Sequence, residues 1–241
     1  MCSVYFKITK GLIELAMVSN LANKRRIPIV TVGLIVICVL VYLYEVKLSH
    51  SANINTDVLV QLGASNKELI KLQPWRTFTS MWLHLTPSHI IFNMFFLWVV
   101  GSQLECIFGH WRFLFVYLLS GMVGDTTAAM FSKNNVVSAG ASTALFGLIG
   151  AGIIIGLLHP SLHFLAHSLI STFVANIIYD LLCPGISLTG HLGGLVGGLI
   201  LGLLLRPPLG MIGVISNMFL EIPIATLVTL IGNYMMIHIV K

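Results

Sequence analysis

Four polar residues stand in otherwise apolar stretches of the chain: Ser142, His191, His89 and Asn93. A serine hydroxyl is a weak nucleophile until an adjacent base takes its proton. An imidazole, with an ordinary pKa of about 6.5, is largely neutral near pH 7 and can be that base. His89 and Asn93 are four residues apart, on one face of a helix, and both can donate hydrogen bonds. With the backbone amide of Ser142 at a helix start, where the dipole favours negative charge, they could hold an oxyanion. Nucleophile, base and oxyanion donors are the parts of peptide hydrolysis. Each part also has a plainer use. Ser142 suits a helix N-cap, and His89 with Asn93 suits packing or an interhelical hydrogen bond. A histidine at membrane depth is costlier and points more strongly to function.

The elements that position these residues follow from composition. The 241 residues are 57% hydrophobic and only 9% charged, with a mean hydropathy of +0.96, whereas roughly 25% of a soluble domain is charged. The chain reads as an all-α polytopic membrane protein. A spanning segment must satisfy its own backbone polar groups, and long apolar runs without period-two alternation select helices over a barrel. Runs near the roughly 20 residues that a span needs fall at 27–46, 89–108, 111–131, 142–158, 162–182, 190–205 and 220–240. Residues 49–87 read as a structured loop that partly dips into the membrane.

Lysine and arginine number 13 against 8 acids, but they are scattered except for Lys24-Arg25-Arg26, which precedes the first run. That pattern sets topology and argues against a nucleic-acid partner. With the triplet in the cytoplasm, Arg112 and Arg206 also fall inside, and Ser142 and His191 both open their spans at the outer face, at similar depth. The cysteines Cys2, Cys38, Cys106 and Cys183 show no CxxC spacing and read as packing residues. His84, His159, His163 and His167 lack the HExxH arrangement, so neither a metal nor a cofactor is expected. No secretory signal is evident, and Met17 is an alternative start.

The sixth run carries Gly190, Gly194, Gly198 and Gly202 at intervals of four, with Gly193 and Gly197 beside them. The fourth carries Ala144, Gly147, Ala151 and, on an adjacent face, Gly150. Smooth stripes of this kind let helices approach closely. Close approach here would bring Ser142 within hydrogen-bond reach of His191.

Four ordered blocks, PWRTFTSMWLHLTPSHIIFN, GSQLECIFG, SAGASTALFGLIGA and TGHLGGLVGG, span residues 74–198, and in this order and spacing the chain resembles the rhomboid family of intramembrane serine proteases. The resemblance implies a six-helix core at 27–206, after a cytoplasmic segment 1–26, followed by an extension 207–241 with an additional transmembrane helix. It further implies a catalytic dyad of Ser142 and His191 without an essential aspartate, with His89 and Asn93 as oxyanion donors beside the Ser142 amide. Gly140 would let the loop turn into the site, Phe146 would pack on the histidine, Gly194 and Gly198 would admit the neighbouring helix, and Trp75-Arg76 would hold the first loop together. The fifth span and its following loop, about 173–187, would form a lateral gate. The implied partners are transmembrane protein substrates and the lipid bilayer, and the expected location is a bacterial plasma membrane.

Thr143 departs from the family, which usually has glycine after the serine; a β-branched residue there is expected to constrict the pocket or alter substrate choice. Asp125 is expected to bond a neighbouring helix. Asp180 could orient His191 as a triad acid would, but its place on the fifth span near the outer surface argues against that role. Two other classes remain open at this level. One is a catalytically inactive rhomboid-like protein that binds membrane helices, although such proteins commonly lack the serine or histidine. The other is a small transporter, which internal repeats would support and which none does convincingly.

Overall fold

The computed structural model describes residues 27–131, 136–182 and 187–207. The N-terminal segment 1–26, the run at 220–240 and nearly all of the extension 207–241 lie outside the described residues. Six long helices form the described body: α1 Ile29–Ser49, α2 Pro87–Phe108, α3 His110–Phe131, α4 Ser142–Leu158, α5 His163–Leu182 and α6 Leu188–Leu204. Among them α1, α2, α3 and, with its preceding turn, α5 are long and apolar enough to cross a membrane, whereas α4 and α6 are shorter.

Helix α1 shows how this fold inverts the soluble pattern. It buries Thr31, Leu34, Cys38, Tyr42, Glu45 and Ser49, a stripe spaced by three and four that includes three polar groups. Its outward face exposes Ile29, Val32, Val36, Leu40 and Leu43. Lipid replaces water outside, so the apolar face turns out and the polar groups turn in, where they find partners. At its start, the Glu105 carboxylate of α2 accepts the backbone N–H groups of Val30 and Thr31, at 3.0 and 2.7 Å, and the Thr31 hydroxyl at 2.7 Å. These are orphan donors of a first helical turn, which the sequence around Pro28 does not itself cap. At its far end, α1 runs past the expected residue 46 because Glu45 accepts the His84 N–H and Ser49 Oγ accepts the Asn55 N–H.

Between α1 and α2, three short helices, Thr56–Leu62, Lys67–Leu72 and Arg76–Thr79, make the expected structured loop. The Arg76 guanidinium is its hub: it donates to the carbonyls of Val60 and Ala64 at 2.7 and 2.8 Å and to the Gln73 side chain at 2.6 Å, and lies 5.0 Å from the Trp75 ring centre. Helix α2 then starts with Thr86 as N-cap, accepting the His89 N–H, and Pro87 in the first turn, where a missing N–H costs nothing. It is interrupted by a π turn at Leu97–Gly101 before continuing through Ser102–Phe108.

Helices α3, α4 and α6 pack as the centre, with α5 resting on α4. The expected glycine stripe is the α4–α6 seam. A Cβ on Gly194 would lie 2.1 Å from the Thr143 carbonyl oxygen, one on Gly198 would lie 1.9 Å from that of Gly147, and one on Gly202 would lie 2.7 Å from the Ala151 Cα. From α4, a Cβ on Gly150 would meet the Leu195 carbonyl at 2.2 Å. Ala144 faces elsewhere, toward Gly121 of α3, and Gly193 and Gly197 serve α3 through Thr127 and Val123. The stripe thus closes two seams rather than one.

Candidate active site

Helices α4 and α6 have 17 residues each, against 22 for α3. At 1.5 Å per residue they are about 26 Å long where α3 is about 33 Å. A cavity of about 700 Å³ opens at their first residues, lined among others by His89, Asn93, Ser142, Phe146, Asp180 and His191.

Ser142 is the first residue of α4, and the N-cap is Ala141, so the hydroxyl is not spent on capping. It faces His191 instead, whose Nε2 lies 2.9 Å from Ser142 Oγ. The ring of Phe146, one turn along α4, stacks on the imidazole with centres 4.1 Å apart and planes 8° from parallel. Gly140 reaches the site with φ +138°, a conformation that side chains rarely adopt. A Cβ there would lie 2.9 Å from His89 Nε2 and 3.8 Å from Ser142 Oγ, so both atoms face one small volume. The loop is pinned by the Gly140 N–H, which donates to the Ser80 carbonyl at 2.9 Å, and by reciprocal backbone bonds between Ser65 and Ser138 at 3.0 and 2.7 Å.

Asn93 is buried, lines the same cavity, and its Nδ2 has no hydrogen-bond partner. An interhelical hydrogen bond from this amide is therefore not what the structure contains. The first-turn amide of Ser142 is likewise one of the orphan donors of a helix start. Chemically, the arrangement offers a hydroxyl against an imidazole, with uncommitted donors close by.

One expectation needs correction. Asp180 is not set apart from the base: His191 Nδ1 and Asp180 Oδ2 are 2.6 Å apart, and both side chains are buried. The signal lay in the sequence, because residues 183–187 alone connect α5 to α6 and so force the end of one helix beside the start of the next. Thr143 lines the cavity beside Ser142, and its side chain is also held in a helix seam. It is buried, with its side chain against the bare positions of Gly124 and Gly190, where added Cβ atoms would meet it at 2.8 and 3.2 Å. It also lies beside Asp125, which accepts the Ser80 hydroxyl and so joins α3 to the first loop, as expected of an interhelical acid. Of the expected gate, Phe173 makes an edge contact to Phe146, with ring centres 6.2 Å apart. His159, His163 and His167 stand apart from the cavity, and the described residues contain no cluster suited to a metal.

Comparison with known proteins places this geometry in context. The family profile "Rhomboid domain" matches residues 71–208. Among curated proteins, Rhomboid protease GluP of Bacillus subtilis is 33% identical over 145 residues, 59% of this chain and 28% of that protein. RHOMBOID-like protein 6, mitochondrial, of Arabidopsis thaliana is 39% identical over 99 residues, 40% of this chain and 32% of that protein. Rhomboid-like protease 3 of Toxoplasma gondii is 35% identical over 113 residues, 46% of this chain and 43% of that protein. The chain thus spans less than half the length of each of these relatives. The profile covers more than half of the chain and includes His89, Asn93, Ser142, Asp180 and His191. Together with the apolar helices that enclose the cavity, this establishes that the chain is an integral multi-pass membrane protein and belongs to the rhomboid family.

Proposed function

We propose that this protein is an intramembrane serine endopeptidase that hydrolyses peptide bonds in or next to transmembrane helices of membrane-protein substrates, with Ser142 as nucleophile and His191 as base. The observation that carries the reading is the 2.9 Å contact between Ser142 Oγ and His191 Nε2 in a cavity lined by apolar helices.

In the first half-reaction, His191 Nε2 takes the hydroxyl proton as Ser142 Oγ bonds to the scissile carbonyl carbon. The charge that develops on the carbonyl oxygen is met by the Ser142 N–H, the Asn93 amide and the His89 ring N–H. Collapse breaks the C–N bond, and the imidazolium gives its proton to the leaving amine. In the second half, His191 deprotonates a water that attacks the acyl-serine, and the returning proton restores the hydroxyl. Phe146 keeps the imidazole plane aligned throughout. Small or helix-destabilising residues in the substrate would let its backbone extend into the cavity.

Location in a bacterial plasma membrane belongs to the same reading and draws on the likeness to the Bacillus subtilis protein; membrane fractionation of the native host tests it. The activity itself is tested with a single-span reporter reconstituted in liposomes. Wild type cleaves, and Ser142→Ala and His191→Ala do not. Equal cleavage by all three rules the pair out. A fluorophosphonate that labels wild type but not Ser142→Ala separates this reading from a helix-binding protein without catalysis.

A further inference from the structure

A serine and a histidine suffice for the steps above, and Asp180 has no part in them. Yet Asp180 Oδ2 stands 2.6 Å from His191 Nδ1 at a site where both side chains are buried. We propose that Asp180 is a positioning residue for His191, holding the imidazole proton on Nδ1 so that the Nε2 lone pair faces Ser142; the proposal rests on the reading of Ser142 and His191 as nucleophile and base.

A neutral imidazole carries one N–H, and an ionised carboxylate only accepts, so this contact fixes which nitrogen is protonated. The other contacts of the ring among the described residues leave that choice open. Phe146 of α4 covers one face in parallel stacking. That holds the ring plane but is indifferent to where the proton sits. His89 of α2 also lies near the imidazole, Tyr179 lines the same cavity, and the Ser142 hydroxyl can either donate or accept. Without the carboxylate, a ring with its proton on Nε2 would still satisfy Ser142 Oγ as acceptor and would no longer be a base.

Packing alone does not account for the placement. In its first half α5 is seated against α4 by Leu165, Ala166, Leu169 and Thr172. A Cβ on Gly152 would meet Leu169 at 2.3 Å, and one on Gly156 would meet Ala166 at 2.8 Å. Beyond Thr172, Asp180 is the one buried residue of that helix, while Val174, Ile178, Leu181 and Leu182 are exposed. A carboxylate buried on a stretch whose other residues are exposed or half-buried requires a partner that offsets its desolvation, and the imidazole is that partner.

The test is a series in the full chain, assayed on the liposome reporter. Asp180→Asn keeps the shape but can donate to Nδ1, which drives the ring to the wrong tautomer. It is expected to lose roughly 10²-fold in kcat with KM little changed. Asp180→Ala admits water and loses less, and Asp180→Glu recovers part of the rate. A packing role gives the reverse order, with Asn near wild type and Ala and Glu impaired, and that order overturns the proposal. Should Asp180→Asn fail to fold, the nitrogen-15 spectrum of His191 in the wild-type protein decides: a proton on Nδ1 is expected, and a proton on Nε2 overturns it. Cleavage that persists in Ser142→Ala defeats the nucleophile assignment instead, whatever Asp180 does.

Discussion

Gly194 of α6 lies so close to Thr143 of α4 that a Cβ on it would stand 2.1 Å from the Thr143 carbonyl oxygen. The backbone just after Ser142 is thereby pressed onto the helix turn that begins with His191. Helix contact, more than loop geometry, sets the hydroxyl–imidazole distance. Gly194→Ala must push the helices apart, with a destabilisation of about 1–3 kcal/mol and a loss of cleavage larger than the loss of folded protein explains. Gly33→Ala is the matched control: a Cβ there meets nothing within 4 Å, so cleavage is kept and helix propensity adds up to about 1 kcal/mol. Thermal unfolding and reporter cleavage of the same preparations check both.

Asn93 is expected to separate activity from stability. Its buried Nδ2 has no partner in the resting site, so removing the amide forfeits no hydrogen bond and relieves a desolvated donor. If that donor meets the oxyanion, Asn93→Ala lowers kcat by about 10²–10³-fold while the unfolding temperature holds or rises. A fall in stability with kcat preserved would show that the amide is structural.

Thr143→Gly is expected to behave in the opposite way. The threonine fills space beside Gly124 and Gly190, so its loss leaves a small void and a glycine in a helix, together about 1–2 kcal/mol. Cleavage per folded molecule should change little, while the preference among reporter side chains shifts because Thr143 also lines the cavity, which a panel of reporters varied at the cleavage site reads directly.

His84 gives the fold a pH dependence. Burial, followed by repulsion from His89, holds its imidazole well below the usual 6.5, although a hydrogen bond to the Trp82 carbonyl works the other way. The folded protein therefore keeps His84 neutral while the unfolded chain takes up a proton as pH falls past about 6.5. The unfolded state binds more protons, so stability declines from there downward. His84→Gln should flatten the fall in unfolding temperature between about pH 7 and pH 5; an unchanged slope assigns the effect to other groups.

Six of the apolar runs were legible as helices because hydropathy is a local property, and the proximity of Ser142 and His191 was legible because topology put two polar helix starts on one side. The glycine seam followed from a four-residue period. Contacts between remote segments carry no such period. Glu105 sits in an otherwise apolar run and reads as a costly acid until Val30 and Thr31, some 75 residues earlier, are seen donating to it. Asp180 lies on the fifth span, a place that by itself argues against contact with the base, yet the short connection to α6 brings it there. The direction of the Thr143 side chain depends on which helix face is bare, and that is fixed by Gly124 of α3 and Gly190 of α6 jointly.

Glu105 carries the last prediction. Its buried carboxylate accepts from Val30 N, Thr31 N and Thr31 Oγ1, and His110 Nδ1 lies 2.5 Å away. The first three bonds hold the start of α1, and the fourth holds the start of α3 just after the Gly109 turn. Glu105→Ala leaves the first-turn donors of α1 without partners in an environment that supplies few others. Bonds to a charged group are worth about 1.5–3 kcal/mol each, less what reorganisation recovers, so a loss of about 3 kcal/mol or more is expected. The cluster lies at the opposite end of α2 from His89, so the rate per folded molecule should stay near wild type. Thr31→Val removes one of the bonds and should cost less than Glu105→Ala, and the double variant should cost less than the sum because both act on the same carboxylate. Unfolding of the four proteins in one detergent measures the coupling, and strict additivity would mean that Glu105 and Thr31 stabilise α1 independently.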